Sequence, residues 1–461
     1  MKPAELTLLD QNERQVPRTV LWLLVILAVA LLLRLPLVAF PGHGYDLGFF
    51  ASWTGAVHEN GLDEALEATP PVDYPAFPVL LWPIAELYGP FIEGSAETDE
   101  ILSRLVKLPG VIGDLLVIGA LFLLTRSLAG RARDLEWASR VTERLPFPGD
   151  VPLADKAALA VALVFALNPA VIYGSAYWGQ IDSLITLAML GALAAVMARR
   201  PGLAGMALAA GFALKPQTII IAPVMVLATL QRSGPRGVAW SILGAGAGLA
   251  LALGYFVLSG GGDEIWETYV RISGYQDRLS YNAWNIWWPA EVGENPQPSD
   301  PALHLAGVEV SFRVLGMVAL IPAAVVLLLF QNRHRERHDL LVAGAFTIIS
   351  FFMLATSIHE RYLIYSLGLL APLAILDRRW AAMYGALTVT VLLNMSASLP
   401  PFGSWADIAN SEAFSMAMTA LNLGLYGGFA GLMMMPGERA KRSVDERVPN
   451  RVCYAPATIP E

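Results

Sequence analysis

The chain has 461 residues, of which 55% are hydrophobic and only 15% charged, with a mean hydropathy of +0.52 and a formal net charge of −8. That composition excludes an ordinary soluble domain of this size and points to a polytopic membrane protein, for which no nucleic-acid partner is expected. One cysteine, Cys453 near the C-terminus, leaves no disulfide framework and no cysteine-based metal site.

In chain order, residues 1–18 form a polar N-terminus and 19–40 the first apolar run, which lacks a small-residue cleavage site and reads as a retained helix. Residues 41–102 form a first extracytoplasmic loop with amphipathic helices. Further apolar runs cover 103–125, 157–175, 183–198, 202–214, 217–230, 238–258, 305–330, 339–357, 362–376, 380–397 and 413–434. Lys215-Pro216 interrupts 202–230, which therefore reads as a hairpin of two helices or one kinked helix. Segment 76–93, flanked and interrupted by Pro75, Pro78 and Pro83, is either a span or an interfacial helix.

Basic residues orient the chain, because cytoplasmic flanks of membrane helices are rich in Lys and Arg. With 202–230 as a hairpin and 76–93 not spanning, 23 of the 31 Lys and Arg fall on the cytoplasmic side, whereas residues 41–103 hold none and carry 11 Asp and Glu. The expected fold class is all-α: about twelve spans over a catalytic domain 19–435, both termini cytoplasmic, with a cytoplasmic tail 436–461.

This topology sends the polar clusters to one extracytoplasmic face. They are "GYDLGFFASW" with Asp46, "VDYPAF" with Asp73 and Tyr74, and "YWGQIDS" with Trp178, Gln180 and Asp182. "LKPQ" adds Lys215, "YQDRLSYNAWNIWWP" adds Arg278, Tyr281, Asn282 and Trp284, and "IHERY" adds His359, Glu360 and Arg361. Residues that only marked helix ends would fall on both faces, so a shared face points to one site.

Each cluster also has a structural reading. Asp46 and Asp182 suit helix N-caps, the tryptophans around 284–288 suit an interfacial belt, and His359 suits a helix start. "LGAGAGLALALG" at 243–254 follows no strand and suits close helix packing. Arg34 with Asp114, and Glu309 with Arg313, are possible neutralising pairs. Asn394-Met-Ser396 matches a glycosylation sequon at the end of a span. No metal-ligand spacing, Ser-His-Asp signature or internal repeat is present.

Taken in order, the "RLP" and "GYD" at the end of the first helix, "DYP", "WGQID", "LKPQ", "YNAWN" and "HERY" resemble the GT-C superfamily of membrane glycosyltransferases, in particular dolichyl-phosphate-glucose glucosyltransferases and bacterial relatives of GPI mannosyltransferases. The chain departs at "HER", where the eukaryotic enzymes tend to carry His-Glu-Lys, and at Ala76, where a second proline commonly follows "DYP". It also has fewer apparent helices. The resemblance implies a hexosyltransferase that uses a polyprenyl-phosphate sugar as donor and a glycan or lipid-linked acceptor, and that inverts the anomeric carbon. It implies Asp46 as general base, with Asp73, Asp182, Gln180 and Asn282 on sugar hydroxyls. Lys215, Arg278, His359 and Arg361 are phosphate candidates, and Tyr281 or Trp284 sugar-stacking rings. Neither a cofactor nor a metal is called for. The rival class is a transporter or lipid flippase, which would show repeated halves and a polar site at the bilayer midplane.

Overall fold

The structure, a computed structural model, describes residues 3–68, 70–131, 135–274, 277–305 and 307–435; the expected tail 436–461 with Cys453, and Tyr275 and Gln276 of the "YQDRL" motif, lie outside these.

Helix α1 (Pro3–Val38) carries the first apolar run, and α2 (Gly44–Asn60) follows after a short turn. Buried Leu47, Phe50, Ala51 and Thr54 of α2 repeat at i, i+3, i+4 and i+7, the stripe of a one-faced helix. Helix α3 (Phe77–Tyr88) packs Phe77 and Leu81 on that stripe, with the Phe50 and Phe77 rings 4.7 Å apart. Its 12 residues cover roughly 18 Å, against a hydrocarbon core of ~30 Å. Helix α3 is therefore too short to span such a core by itself.

The bundle continues with α4 (Leu108–Ala129), α5 (Leu153–Ala166), α6 (Asp182–Met197), α7 (Pro201–Leu214) and α8 (Ala222–Leu258). Pro216 forces the residue before it out of helical geometry, so α7 stops and Lys215 is extended at φ −161°, ψ 119°. Two helices, not one kinked helix, thus flank Lys215. Gly234, at φ +66° and followed by Pro235, bends α8 into two arms. The second arm packs closely on α7: a Cβ on Gly244 would meet the Gly202 carbonyl oxygen at 1.9 Å, and one on Gly248 the Met206 oxygen at 2.4 Å. Of the glycines in 243–254, Gly244 and Gly248 serve helix packing, whereas Gly246 and Gly254 face open space.

An amphipathic helix not expected from the sequence, α9 (Gly262–Gly274), precedes the two-residue strand β1 (Ser280–Tyr281). Strands β2 (Pro301–Leu305) and β3 (Val308–Ser311) form an antiparallel hairpin, so the span expected from 305 begins only at α10 (Phe312–Arg333). Glu309 is therefore on a strand, 3.8 Å from His304, and shares no helix with Arg313. The chain ends with α11 (Asp339–Leu354), β4 (Ile358–His359), α12 (Ile364–Leu376), α13 (Arg378–Ser398) and α14 (Glu412–Met434).

Among the described residues six helices are long and apolar enough to cross a membrane, or seven if the pair Leu153–Ala166 and Pro169–Trp178, bent by 48°, is one span. That is fewer than the twelve expected. The difference lies largely in α6, α7, α11 and α12, which are apolar but only 13 to 16 residues long. Each is cut short where polar residues begin: at Asp182, at Lys215, and on either side of the strand bearing His359. A buried ion pair ties the bundle together, as the sequence led us to expect: Arg34 Nε donates to Asp114 at 2.6 Å, and Asp114 also accepts from Ser175 and Ser183.

Candidate active site

The site is built where the fifth helix gives way. Asn168 caps the short helix Pro169–Ile172 by accepting from the amides of Ala170 and Val171, and a π-helical turn, Tyr173–Trp178, follows. Such turns frequently occur at functional sites. Gly179 then adopts φ +104°, and a Cβ there would lie 2.5 Å from Leu47, so glycine is required twice over.

This reversal aims two side chains at one carboxylate oxygen. Trp178 Nε1 donates to Asp46 Oδ2 at 2.8 Å and Gln180 Nε2 donates to the same atom at 2.5 Å, with His43 Nδ1 at 3.3 Å. Asp46 Oδ1 accepts no hydrogen bond among the described residues. The N-cap of α2 is His43, and Asp46 stands three residues further on, so the capping reading of Asp46 does not hold. Burial alone would push its carboxyl up, but the Arg361 guanidinium, His43 and Trp178 outweigh burial and hold it well below the ordinary carboxylate range.

Gln180 also links Asp46 to a buried ion pair. Lys215 Nζ donates to Gln180 Oε1 at 3.2 Å and to Asp182 Oδ1 at 2.5 Å, and Tyr365 OH donates to the same Asp182 oxygen at 2.9 Å. Asp182 opens α6 but makes no cap; its carboxylate is spent on Lys215 and Tyr365 instead. Breaking a buried pair of this kind typically costs about 3–5 kcal/mol, because the surviving charge loses its partner. The rings of Tyr74 and Tyr362 lie 5.6 and 5.8 Å from the Lys215 ammonium.

Strand pairing delivers the remaining charges. β1 and β4 run parallel, with Tyr281 opposite His359, and the two rings stack at 4.5 Å. Glu360 next in line accepts from Arg361 Nη1 at 2.8 Å, and the Arg361 guanidinium lies 5.5 Å from the Trp178 ring. Burial and then Arg361 push the His359 imidazole down, which keeps it neutral near pH 7.

Asp46, Trp178, Gln180, Asp182, Lys215, Glu360 and Arg361 therefore form one buried network, with Tyr74, Tyr281 and His359 on its margin. Asp73 is half-exposed and 3.6 Å from Arg271 of α9; burial pushes its carboxyl up against the pull of that arginine. Arg278 is exposed and outside the network, although its carbonyl accepts from Ser357. Asn282, at φ +55°, is exposed and contributes its carbonyl to Asn394 Nδ2 at 2.6 Å. Asn394, being buried in that contact, is not presented for glycosylation.

Trp284 is 1% exposed and packs edge-on against Phe414, with its amide and carbonyl held by Asn394 and Asn422. It is core, with no free face for a sugar. Residues the sequence reading missed are His43, Tyr362, Tyr365 and Lys107. The fully buried Lys107 ammonium binds the carbonyls of Phe40 and Tyr177 at 2.7 and 3.1 Å, pinning the end of the first helix to the π-helical turn. No three His, Cys, Asp or Glu among the described residues assemble as a metal-binding group.

A multi-helix membrane chain with a positioned carboxylate beside buried cations has the make-up of a membrane transferase. The model of glycosyltransferase family 87 matches residues 106–357, more than half of the chain, and the chain belongs to this GT-C type family of membrane glycosyltransferases. The matched segment holds Trp178, Gln180, Asp182 and Lys215, whereas Asp46, Asp73 and 359–361 flank it. No curated protein matches the chain. Membership sets aside the transporter reading.

Proposed function

We propose that the chain transfers a hexose, mannose or glucose, from a polyprenyl-phosphate sugar to an extracytoplasmic glycan or lipid-linked acceptor, with inversion at the anomeric carbon. The carrying observation is the asymmetry of Asp46, whose Oδ2 is fixed by Trp178 and Gln180 while Oδ1 is open. A base needs one oriented oxygen and one free for the proton.

In this reading Asp46 Oδ1 takes the proton of the acceptor hydroxyl as its oxygen bonds to the anomeric carbon. The bond from that carbon to the phosphate oxygen breaks, and polyprenyl phosphate leaves with the electron pair. Arg361 receives the phosphate charge, with neutral His359 as a further hydrogen-bonding group. Lys215, already committed to Asp182, holds Gln180 in place. Just beyond Gln217, Ile219, Leu320, Leu327 and Phe346 line an apolar cavity of about 250 Å³, which suits the first units of a prenyl chain. The reaction needs neither cofactor nor metal. The site faces the outside of the cell membrane and both termini face the cytoplasm.

The test is purified protein in liposomes, offered a panel of polyprenyl-phosphate hexoses and pentoses with Asp46→Asn in parallel. One donor should be consumed, releasing one equivalent of polyprenyl phosphate per sugar moved. Turnover with a nucleotide sugar alone would overturn the donor class.

A further inference from the structure

A cavity of about 840 Å³ opens at the end of the bundle remote from Asp46. Helix α6 starts at the site residue Asp182 and α7 ends beside Lys215; the cavity lies toward their opposite ends, between Ala194 of α6 and Ala207 of α7. Arg131, Arg200 and Arg337 stand around it, and among the described residues no Asp or Glu lines it. Among the described residues none of these three guanidinium groups meets a side-chain acceptor. Three cations with no described counter-charge against a mostly apolar wall concentrate positive potential and favour an anion.

Apart from Ser127, the rest of the lining is apolar. Leu203 and Leu251 border the cavity and are 47% and 76% exposed, so it is open sideways, toward the acyl region of the bilayer. From Arg200, which precedes α7, along that helix to Ala210 the groove runs roughly 15 Å at 1.5 Å per residue, about one leaflet of a ~30 Å core. A free phosphate would leave the groove empty, and a neutral lipid would leave the arginines unpaired. The depth suits an acyl chain and stops short of what a long polyprenyl chain covers.

We propose that this cavity holds an anionic phospholipid of the arginine-bearing leaflet, its phosphate on Arg131, Arg200 and Arg337 and one acyl chain in the groove. Basic pockets between helices on the cytoplasmic side bind such headgroups, and the distribution of Lys and Arg assigns this end to the cytoplasm. The site is separate from the sugar-transfer site and does not depend on that reading.

Native mass spectrometry of the full chain, released from nanodiscs of equimolar phosphatidylglycerol and phosphatidylethanolamine, tests it. The parent should retain phosphatidylglycerol at least about tenfold over phosphatidylethanolamine, as expected when three basic groups act on one phosphate. Arg131→Gln, Arg200→Gln and Arg337→Gln combined should bring that ratio close to one. Ala207→Trp, which keeps every charge and fills the groove, should lower retention of both lipids. Addition of phosphatidylglycerol should raise the Tm of the parent and not of the triple variant. A ratio unchanged by the triple variant, or displacement of phosphatidylglycerol by equimolar polyprenyl phosphate, would overturn the proposal.

Discussion

Arg361 Nε and Asp182 Oδ2 face each other across 3.9 Å, and among the described residues neither atom has a hydrogen-bond partner although both are buried. The gap is too long for a direct bond, and buried polar groups are rarely left unmet. A phosphate oxygen on Nε and a sugar hydroxyl on Oδ2 would satisfy both. Arg361→Lys keeps the charge opposite Glu360 and removes Nε. Charge-assisted contacts are worth roughly 1.5–3 kcal/mol, so donor kcat/KM should fall about 10- to 150-fold while acceptor KM stays within a few-fold. Initial rates with each substrate varied in turn decide this; an unchanged donor kcat/KM would place the phosphate elsewhere.

Gly179→Ala probes the turn that aims Trp178 and Gln180. Alanine is strained at φ +104°, and its Cβ meets Leu47 at 2.5 Å. A stability loss on the order of 1–3 kcal/mol is expected, read as a lower Tm, with turnover falling more steeply because both donors leave Asp46. Adding Leu47→Ala should relieve the clash but not the backbone strain, so turnover should recover only in part. Full activity of Gly179→Ala would show that the turn is not needed to aim the base.

The sequence exposed most of this network because charges and amides are conspicuous in an apolar chain. Asp46, Gln180, Asp182, Lys215 and Arg361 had to be paired or functional wherever they were buried. What it hid was the partner of each. Tyr365 reads as one more aromatic in a helix until its hydroxyl meets Asp182, 183 residues away in sequence. Trp284 read as a sugar platform because its burial is decided by Phe414 and Asn422, far along the chain. The β2–β3 hairpin was absorbed into a span because Val308 and Val310 extend the apolar run of α10. Fewer helices reach spanning length than the sequence led us to expect for a related reason: the polar residues that build the site also shorten the four helices around it.

Trp178→Phe should move the pH dependence of catalysis. Asp46 lies well below its ordinary 3.8, so its share of stability is present above that value and is lost as pH falls through the folded value. The parent should therefore keep Asp46 ionised throughout the working range. Phenylalanine removes one donor to the carboxylate and raises its pKa, so the acid limb of kcat/KM should shift to higher pH and acid unfolding should begin earlier. A rate profile superimposable on that of the parent would mean that Trp178 does not hold the charge.

Topology is testable with reporter fusions after residues 60, 140, 290 and 335. Residues 41–103 lack Lys and Arg entirely, whereas 126–156 and 333–337 are rich in them, so positions 60 and 290 should report outside and 140 and 335 inside. A fusion at 140 that reports outside would invert α4 and put its two ends on the wrong faces.

The assignment of Asp46 as base is tested by Asp46→Asn. The asparagine carbonyl can take the place of Oδ2 and still accept from Trp178 and Gln180, while its amide nitrogen falls where Oδ1 was open. Folding, membrane insertion and donor affinity should stay close to the parent. What disappears is the proton acceptor, and positioned bases contribute about 10²- to 10⁴-fold to rate, so turnover should drop at least ~100-fold. Asp73→Asn serves as the comparison: its carboxyl is pushed up by burial and sits at the margin beside Arg271, so a smaller defect confined to KM is expected. If Asp46→Asn kept more than about a tenth of parental turnover while Asp73→Asn lost it, the proton would go to Asp73, the one of the two carboxylates whose surroundings favour protonation.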